Sequence, residues 1–209
     1  MDAALQDGTL EAWREDPGKL GLWLFLLSEV LLFGAFFSAY FMTRWGSSVC
    51  ALGAPAWPEG TAKTALGLAA INTFILITSS YTIVRAIARV KRGDEAGFRA
   101  NLGATVALGL AFLVVKGFEY AAKFHHGFTP HGEFALANPG YRVFFSFYFV
   151  MTGLHGAHVV IGALWNSLLL VSKEDVGSEG FARKVEYAGL YWHFVDIVWV
   201  FLFPLFYLV

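Results

Sequence analysis

The chain has 209 residues, of which 57% are hydrophobic and only 15% are charged. Soluble domains carry about 25% charged residues, so the deficit indicates an integral membrane protein. The formal net charge of −1 excludes the basic footprint of a nucleic-acid-binding protein.

Charged residues divide the sequence into five apolar runs, and each run predicts one membrane-spanning helix, because a spanning helix needs about 20 mostly apolar residues. The first segment, residues 1–19, is polar and is expected to lie in the cytoplasm. The predicted helices cover about residues 20–43, 64–85, 100–122, 143–172 and 187–209. Apolar and polar residues do not alternate along these runs, which argues against a barrel. The sequence therefore predicts an all-α integral membrane protein, a five-helix bundle in a single domain.

Basic residues predict the orientation of this bundle. Ten of the 15 Lys and Arg residues fall on one side, and the loop "RAIARVKRGDEAGFR" supplies half of those ten. Because loops rich in Lys and Arg stay in the cytoplasm, the N-terminus is predicted inside and the C-terminus outside.

Glu29 stands in the middle of the first predicted helix, in "LLSEVLLFG". At 1.5 Å per residue it lies about 15 Å beyond Lys19, near the membrane midplane. An ionisable group at that depth costs about 2.5–3.5 kcal/mol, so it demands a reason. Two interpretations remain open: a protonated acid bonded to a neighbouring helix, or a group that handles protons.

The third apolar run, residues 100–115, is the shortest, and Lys116, which follows it, is expected to extend to the membrane surface. Glu119 and Tyr120, in "FEY", lie about 30 Å from Arg99 and are predicted at the outer interface. A carboxylate is ordinary at that depth.

The fourth predicted helix carries two histidines that share one face, because His155 and His158 are three residues apart. Small residues between and beside them, among them Gly156 and Gly162, would let another helix approach closely.

The fifth predicted helix carries a similar pair. His193 and Asp196 are three apart, a spacing that suits a carboxylate that fixes a histidine tautomer. Glu186 lies seven residues before His193 and faces the same way. Similar depths in the membrane predict that Glu29 lies level with one buried polar cluster, made of His155, His158, His193, Asp196 and Glu186.

No metal site is predicted, because a zinc or copper centre needs three or four converging ligands. His125, His126 and His131 lie in the loop "KFHHGFTPHGE" and are expected to be solvated. On the residues alone, the bundle would fit a transporter, a proton-conducting subunit or a scaffold.

Four stretches, in this order, take the interpretation further: "LGLWLFLLSEVLLFGAFFSAYF", "FEY", "FFSFYFVMTGLHGAHVVIGALW" and "EYAGLYWHFVDIVWVFLFPLFYL". Together they resemble subunit III of the haem–copper oxidases, the cytochrome c oxidase subunit 3 family, in its five-helix bacterial form. The resemblance extends from about Leu20 to the end of the chain.

The resemblance implies an accessory subunit of a proton-pumping terminal oxidase in the inner membrane of a bacterium. Such a complex passes electrons from cytochrome c to O₂ in aerobic respiration, and the chain would count as an enzyme only as part of it. Haems and copper would belong to partner subunits I and II, and this chain would hold no cofactor. It would pack mainly on subunit I, bind phospholipids, and support proton uptake and stability during turnover. The family's carbodiimide-reactive acid falls on Glu29.

Two alternatives stay open at this stage. Five-helix forms also occur among quinol oxidases and in a protein associated with nitric oxide reductases, although "SEV" with "GLHGAHV" favours the cytochrome c group. From another class, an autonomous transporter or proton channel would explain the polar residues at mid-depth. The chain shows no internal repeat of the kind found in many transporters.

Overall fold

The computed structural model describes residues 17–49, 66–137 and 139–208. Within these ranges there are five long helices and one single-turn helix. In chain order they are α1 (Pro17–Val49), α2 (Leu66–Val90), α3 (Glu95–His125), the short α4 (Glu133–Ala137), α5 (Pro139–Val171) and α6 (Glu179–Tyr207). The five long helices are each long and apolar enough to cross a membrane. The predicted all-α, five-helix membrane fold is confirmed.

Several helices are longer than the apolar runs suggested. Helix α3 begins at Glu95 instead of near residue 100, and α6 begins at Glu179 instead of near 187. Charged residues marked the predicted limits, but charged side chains are tolerated in helical turns that project beyond the hydrocarbon. With 33 residues, α1 is about 50 Å long, more than the hydrocarbon thickness of about 30 Å. Most of the predicted segment 1–19 lies outside the described residues.

Four of the long helices form a bundle, and the fifth packs against its edge. Helix α2 packs on α3 and α6, and both of those pack on α5. Helix α1 lies along α5 and α6. In the most apolar 18-residue stretch of α6, 61% of the residues are buried, whereas in the corresponding stretch of α1 only 11% are. Helix α6 is therefore the central element, and α1 is the most peripheral.

Trp192 of α6 fixes the packing distance at the centre of the bundle. A Cβ atom added to Gly109 of α3 would lie 2.7 Å from its Cη2, and one added to Gly162 of α5 would lie 2.8 Å from its Cε3. The indole N–H donates to the Ser79 hydroxyl of α2 at 3.0 Å. Of the glycines expected to admit a neighbouring helix, Gly162 does so, whereas a Cβ on Gly156 would meet nothing within 4 Å.

Asp94 caps the first turn of α3 at the end predicted to face the cytoplasm. Its Oδ1 accepts from the backbone N–H of Gly97 at 2.9 Å, and its Oδ2 accepts from the Arg89 guanidinium at 2.7 Å. The amide of Gly97 first, and then the guanidinium of Arg89, hold the pKa of the Asp94 carboxyl below its ordinary value of 3.8. This carboxylate joins the end of α2 to the start of α3.

Candidate functional site

Glu29 of α1 and His158 of α5 form a polar pair between two helices. Oε2 of Glu29 lies 3.0 Å from Nε2 of His158. Both side chains are largely buried, with 16% and 12% of their surface exposed. The other ring nitrogen, Nδ1, lies 2.8 Å from the backbone carbonyl oxygen of Leu154.

These contacts determine how many protons the pair holds. A carbonyl oxygen only accepts hydrogen bonds, so Nδ1 of His158 carries a proton. If the ring is neutral, Nε2 accepts a proton from a protonated Glu29. If the ring is charged, Nε2 donates to a carboxylate. One proton lies between the two side chains in both cases, and the pair is neutral overall, as its apolar surroundings require.

Aromatic rings cover the pair. The ring of Phe33 meets the imidazole of His158 edge-on at 5.6 Å, and the ring of Tyr191 stacks on it at 6.5 Å. The Tyr191 hydroxyl donates to the backbone oxygen of His158 at 3.1 Å, which joins α6 to the same turn of α5. The arrangement can hold one proton between two groups in a defined position.

His193 and Asp196 do not bond to each other, so the expected fixing of the histidine by the carboxylate is wrong. Nδ1 of His193 lies 2.7 Å from Oγ of Ser80 on α2. The Ser80 hydroxyl is also close to the Asp196 carboxyl. Within the described residues, however, neither carboxylate oxygen of Asp196 has a hydrogen-bond partner.

His155 lies apart from these groups in the bundle core, with 1% of its surface exposed. Its ring packs between Phe112 at 5.6 Å and Trp199 at 5.2 Å. Neither ring nitrogen finds a hydrogen-bond partner in the part of the chain that the structure describes. The predicted cluster is thus divided into separate positions, because residues on one helix face contact different neighbours at each turn.

Glu186 does not belong to the buried groups. Its side chain is 37% exposed, and its Oε1 forms an ion pair with Nζ of Lys91 at 2.6 Å. Lys91 directly follows α2, so this pair lies at the end of the bundle. The seven-residue spacing predicted correctly that Glu186 and His193 share one face of α6. Glu186 lies two turns nearer the end of the bundle, however, where that face is no longer buried.

A buried ionic network near the other end joins α3, α5 and α6. Nζ of Lys116 lies 2.8 Å from Oε2 of Glu119 and donates to the hydroxyls of Tyr148 at 3.1 Å and Tyr207 at 2.6 Å. Both tyrosines in turn donate to Oε1 of Glu119, at 2.7 and 2.5 Å. Lys116 and Glu119 are 7% and 3% exposed. Lys116 therefore points into the bundle instead of towards the membrane surface, and the Glu119 carboxylate is buried within the protein.

Tyr120 adds a second bond between α3 and α5, because its hydroxyl lies 2.5 Å from Oγ1 of Thr152. The three-residue spacing of Lys116 and Glu119 was a signal for their ion pair. Nothing in the sequence pattern identified Tyr148 and Tyr207 as partners, since they come from other helices.

No group of three or more His, Cys, Asp or Glu side chains able to hold a metal occurs in residues 17–49, 66–137 and 139–208. His125 and His126, at the end of α3, contact each other edge-on at 5.5 Å. His131 lies in the turn before α4.

Comparison with known proteins gives consistent relatives. The family model described as cytochrome c oxidase subunit III matches residues 7–209. A cytochrome c oxidase subunit 3 from Alkalihalophilus pseudofirmus is 38% identical over 90% of this chain and 85% of its own length. A probable quinol oxidase subunit 3 from Staphylococcus epidermidis is 34% identical over 91% and 88%. A heme-copper oxidase subunit I+III from Aeropyrum pernix is 34% identical over 97% of this chain and 24% of its own length.

Proposed function

Because the chain belongs to the cytochrome c oxidase subunit III family, we propose that it is the accessory subunit of a proton-pumping terminal oxidase that takes electrons from cytochrome c. It packs mainly on subunit I and also associates with subunit II, which together carry the haems and copper. It carries no redox centre of its own, and it works in the inner membrane of a bacterium.

The Glu29–His158 pair is the observation that carries this proposal. Oε2 of Glu29 and Nε2 of His158 lie 3.0 Å apart, between two helices and under aromatic cover. Such a pair can lose or gain a proton without metal or covalent chemistry. We propose that Glu29 supports proton uptake in this way and that His158 positions it.

Two further observations support the proposed partners. The relative from Aeropyrum pernix is named as subunits I and III together, which fits a chain whose place is beside subunit I. An apolar groove of about 470 Å³ lies between α1 and α6, lined by Trp23, Phe33, Phe37 and Phe201 among others. Its size and lining suit the acyl chain of a phospholipid.

Purification through a tag on this chain tests the proposal. Haem a and copper should co-purify in a complex with the other oxidase subunits, and the complex should oxidise cytochrome c with O₂. Recovery of the chain alone, without oxidase subunits or haem, would contradict the proposed function.

The role of Glu29 has its own measurement. In the purified complex, Glu29→Ala should reduce the number of catalytic turnovers that the oxidase completes before it loses activity, whereas Ser28→Ala should leave that number unchanged. Ser28 is a suitable control because its hydroxyl is exposed and donates to the Phe25 carbonyl of its own helix. If Glu29→Ala and the wild type completed the same number of turnovers before inactivation, Glu29 would have no role in sustaining activity.

A quinol oxidase is the second candidate, favoured by the relative from Staphylococcus epidermidis. The two donors are separated by assaying the same complex with reduced cytochrome c and with a soluble quinol. The nitric-oxide-reductase-associated protein would be indicated if nitric oxide reductase subunits co-purified instead. Membership of an oxidase family favours a subunit over an autonomous transporter.

A further inference from the structure

A cleft runs between α2 and α6 on the outside of the bundle, with a volume of about 380 Å³. We call it the α2–α6 cleft and define it by Ile77, Ser80 and Tyr81 of α2 and by His193, Asp196 and Ile197 of α6. Its position is distinct from that of the Glu29–His158 pair, which lies between α1 and α5.

The lining of this cleft combines an apolar rim with polar groups beneath it. Ile77, Tyr81 and Ile197 are 55%, 61% and 56% exposed. Below them, Ser80 and His193 form their 2.7 Å hydrogen bond. Asp196 is only 7% exposed. The Ser80 hydroxyl is close to its carboxyl, but in the part of the chain that the structure describes neither carboxyl oxygen has a partner within hydrogen-bond geometry.

A buried carboxyl group that lacks a hydrogen bond lowers the stability of the folded protein. A buried polar group without a hydrogen bond costs about 1–3 kcal/mol in proteins. Lipid cannot remove this cost, because acyl chains carry no donor. Asp196 lies ten residues beyond Glu186, about 15 Å along the helix from the charged end, so lipid headgroups are out of reach.

A protein side chain can reach that depth. Transmembrane helices associate through close apolar packing together with hydrogen bonds between polar side chains, and the α2–α6 cleft offers both. A second copy of this chain docked by the same cleft would bring a second Asp196 into the contact, and two carboxylates close together there would repel each other.

We propose that the α2–α6 cleft is the docking surface for a transmembrane helix of another oxidase subunit, and that this helix presents a hydrogen-bond donor to Asp196 near the membrane midplane. The inference rests on the proposed function and adds to it the face by which the chain joins its partner.

Site-specific photocrosslinking in membranes that contain the assembled oxidase tests this surface. A benzophenone amino acid replaces Ile77 or Ile197 in the cleft, or Leu110 as the control. Leu110 is 52% exposed and lies near the middle of α3, at a similar distance along its helix. Both cleft positions should form adducts with one other oxidase subunit, and mass spectrometry should locate the attachment within a transmembrane helix.

Other outcomes overturn the inference. Adducts of the cleft positions with lipid only, or with a second copy of this chain, would show that no partner helix occupies the cleft. Adducts of the same subunit with Leu110 at equal yield would show that the contact is not specific to it. A chain that co-purifies with the oxidase but gives these results refutes the docking surface alone. A chain that does not co-purify refutes the proposed function.

Substitutions of Asp196 test the proposed hydrogen bond to the partner helix. Asp196→Leu should lower the yield of the Ile197 adduct about tenfold, whereas Asp196→Asn, which keeps an acceptor oxygen, should retain most of it. Equal yields for Asp196→Leu and wild type, measured on equal amounts of inserted chain, would remove Asp196 from the contact. Because the adducts of the otherwise unaltered chain are measured independently, a folding defect in these variants leaves the docking test intact.

Discussion

Nε2 of His158 and Oε2 of Glu29 share one proton, and this constrains which substitutions the pair can accept. A glutamine at position 29 keeps the size of the side chain and offers an N–H donor to the neutral imidazole. An alanine leaves Nε2 of a buried histidine without a partner. Comparison of these two substitutions therefore separates loss of the ionisable carboxyl group from loss of the hydrogen bond.

We expect Glu29→Ala to destabilise the purified complex by about 1–3 kcal/mol, because a buried group loses its partner. Glu29→Gln should cost clearly less. The measurement is the thermal unfolding midpoint in detergent, with Ser28→Ala as the neighbouring control. If glutamine and alanine proved equally destabilising, the hydrogen bond would not be what stabilises the contact between α1 and α5.

Asp94 gives a pH-dependent prediction outside the membrane. Its pKa in the folded chain is below the ordinary 3.8, so its contribution to stability is complete above that value and is lost as the pH falls through the lower folded pKa. The protection of the Gly97 amide against hydrogen exchange should therefore decrease as the pH is lowered below about 4. Asp94→Asn should remove this fall.

Ser178 supplies an internal control for that measurement. Its hydroxyl caps α6 by accepting from the Phe181 amide at 3.3 Å, and it carries no charge. Protection of the Phe181 amide, corrected for the chemistry of exchange, should not change over the same pH range. A parallel loss at both amides would indicate general acid unfolding instead of titration of Asp94.

At the scale of the helices, close packing depends on two glycines that face one indole. Trp192 lies between Gly109 and Gly162, and it cannot move freely because it also donates to Ser79. A methyl group at either glycine would push the neighbouring helix away from α6.

We expect Gly109→Ala and Gly162→Ala each to lower the free energy of unfolding by about 1–3 kcal/mol, the usual cost of overpacking a core. Gly156→Ala is the matched control on α5, since its new methyl group would meet nothing within 4 Å. Thermal unfolding in detergent measures all three. Similar losses for Gly156→Ala and Gly162→Ala would show that contact with Trp192 is not the cause, because the higher helix propensity of alanine would by itself stabilise both positions.

The helices themselves could be predicted from hydropathy, because each apolar run had to cross about 30 Å of hydrocarbon. Their ends could not, because charged residues such as Glu95 and Arg99, which marked the predicted limit of α3, are themselves helical. Depth also placed Glu29 level with a group of polar residues that includes both histidines of α5, since these positions follow from a 1.5 Å rise per residue. Depth alone could not select His158 over His155, because that choice depends on the rotation of each helix about its axis.

At the scale of the whole molecule, the family assignment made from four ordered motifs is confirmed by the family model and by relatives at 34–38% identity. The ionic network of Lys116 and Glu119 was beyond sequence reasoning. Its tyrosines come from positions 148 and 207, on two other helices, and their encounter depends on the arrangement of the entire bundle.

Orientation in the membrane is a prediction that the single cysteine can test. Cys50 belongs to the first predicted outer loop, outside the described residues, and a membrane-impermeant maleimide should label it from the outer side of intact cells. A control chain with Cys50→Ser and Arg92→Cys carries its only thiol in the predicted inner loop and should be labelled only after the membrane is opened. The reverse labelling pattern would show that the bundle has the opposite orientation in the membrane.

The peripheral place of α1 has a consequence for synthesis. This helix is synthesised before its partners: His158 follows Glu29 by 129 residues, and Leu205, whose carbonyl accepts from the Tyr40 hydroxyl, follows Tyr40 by 165 residues. At roughly 5–20 residues per second, these two intervals last about 6–26 s and about 8–33 s. During the first of them, the acid of α1 lies in the bilayer without its histidine partner, so the nascent chain depends on Glu29 remaining neutral until α5 is made.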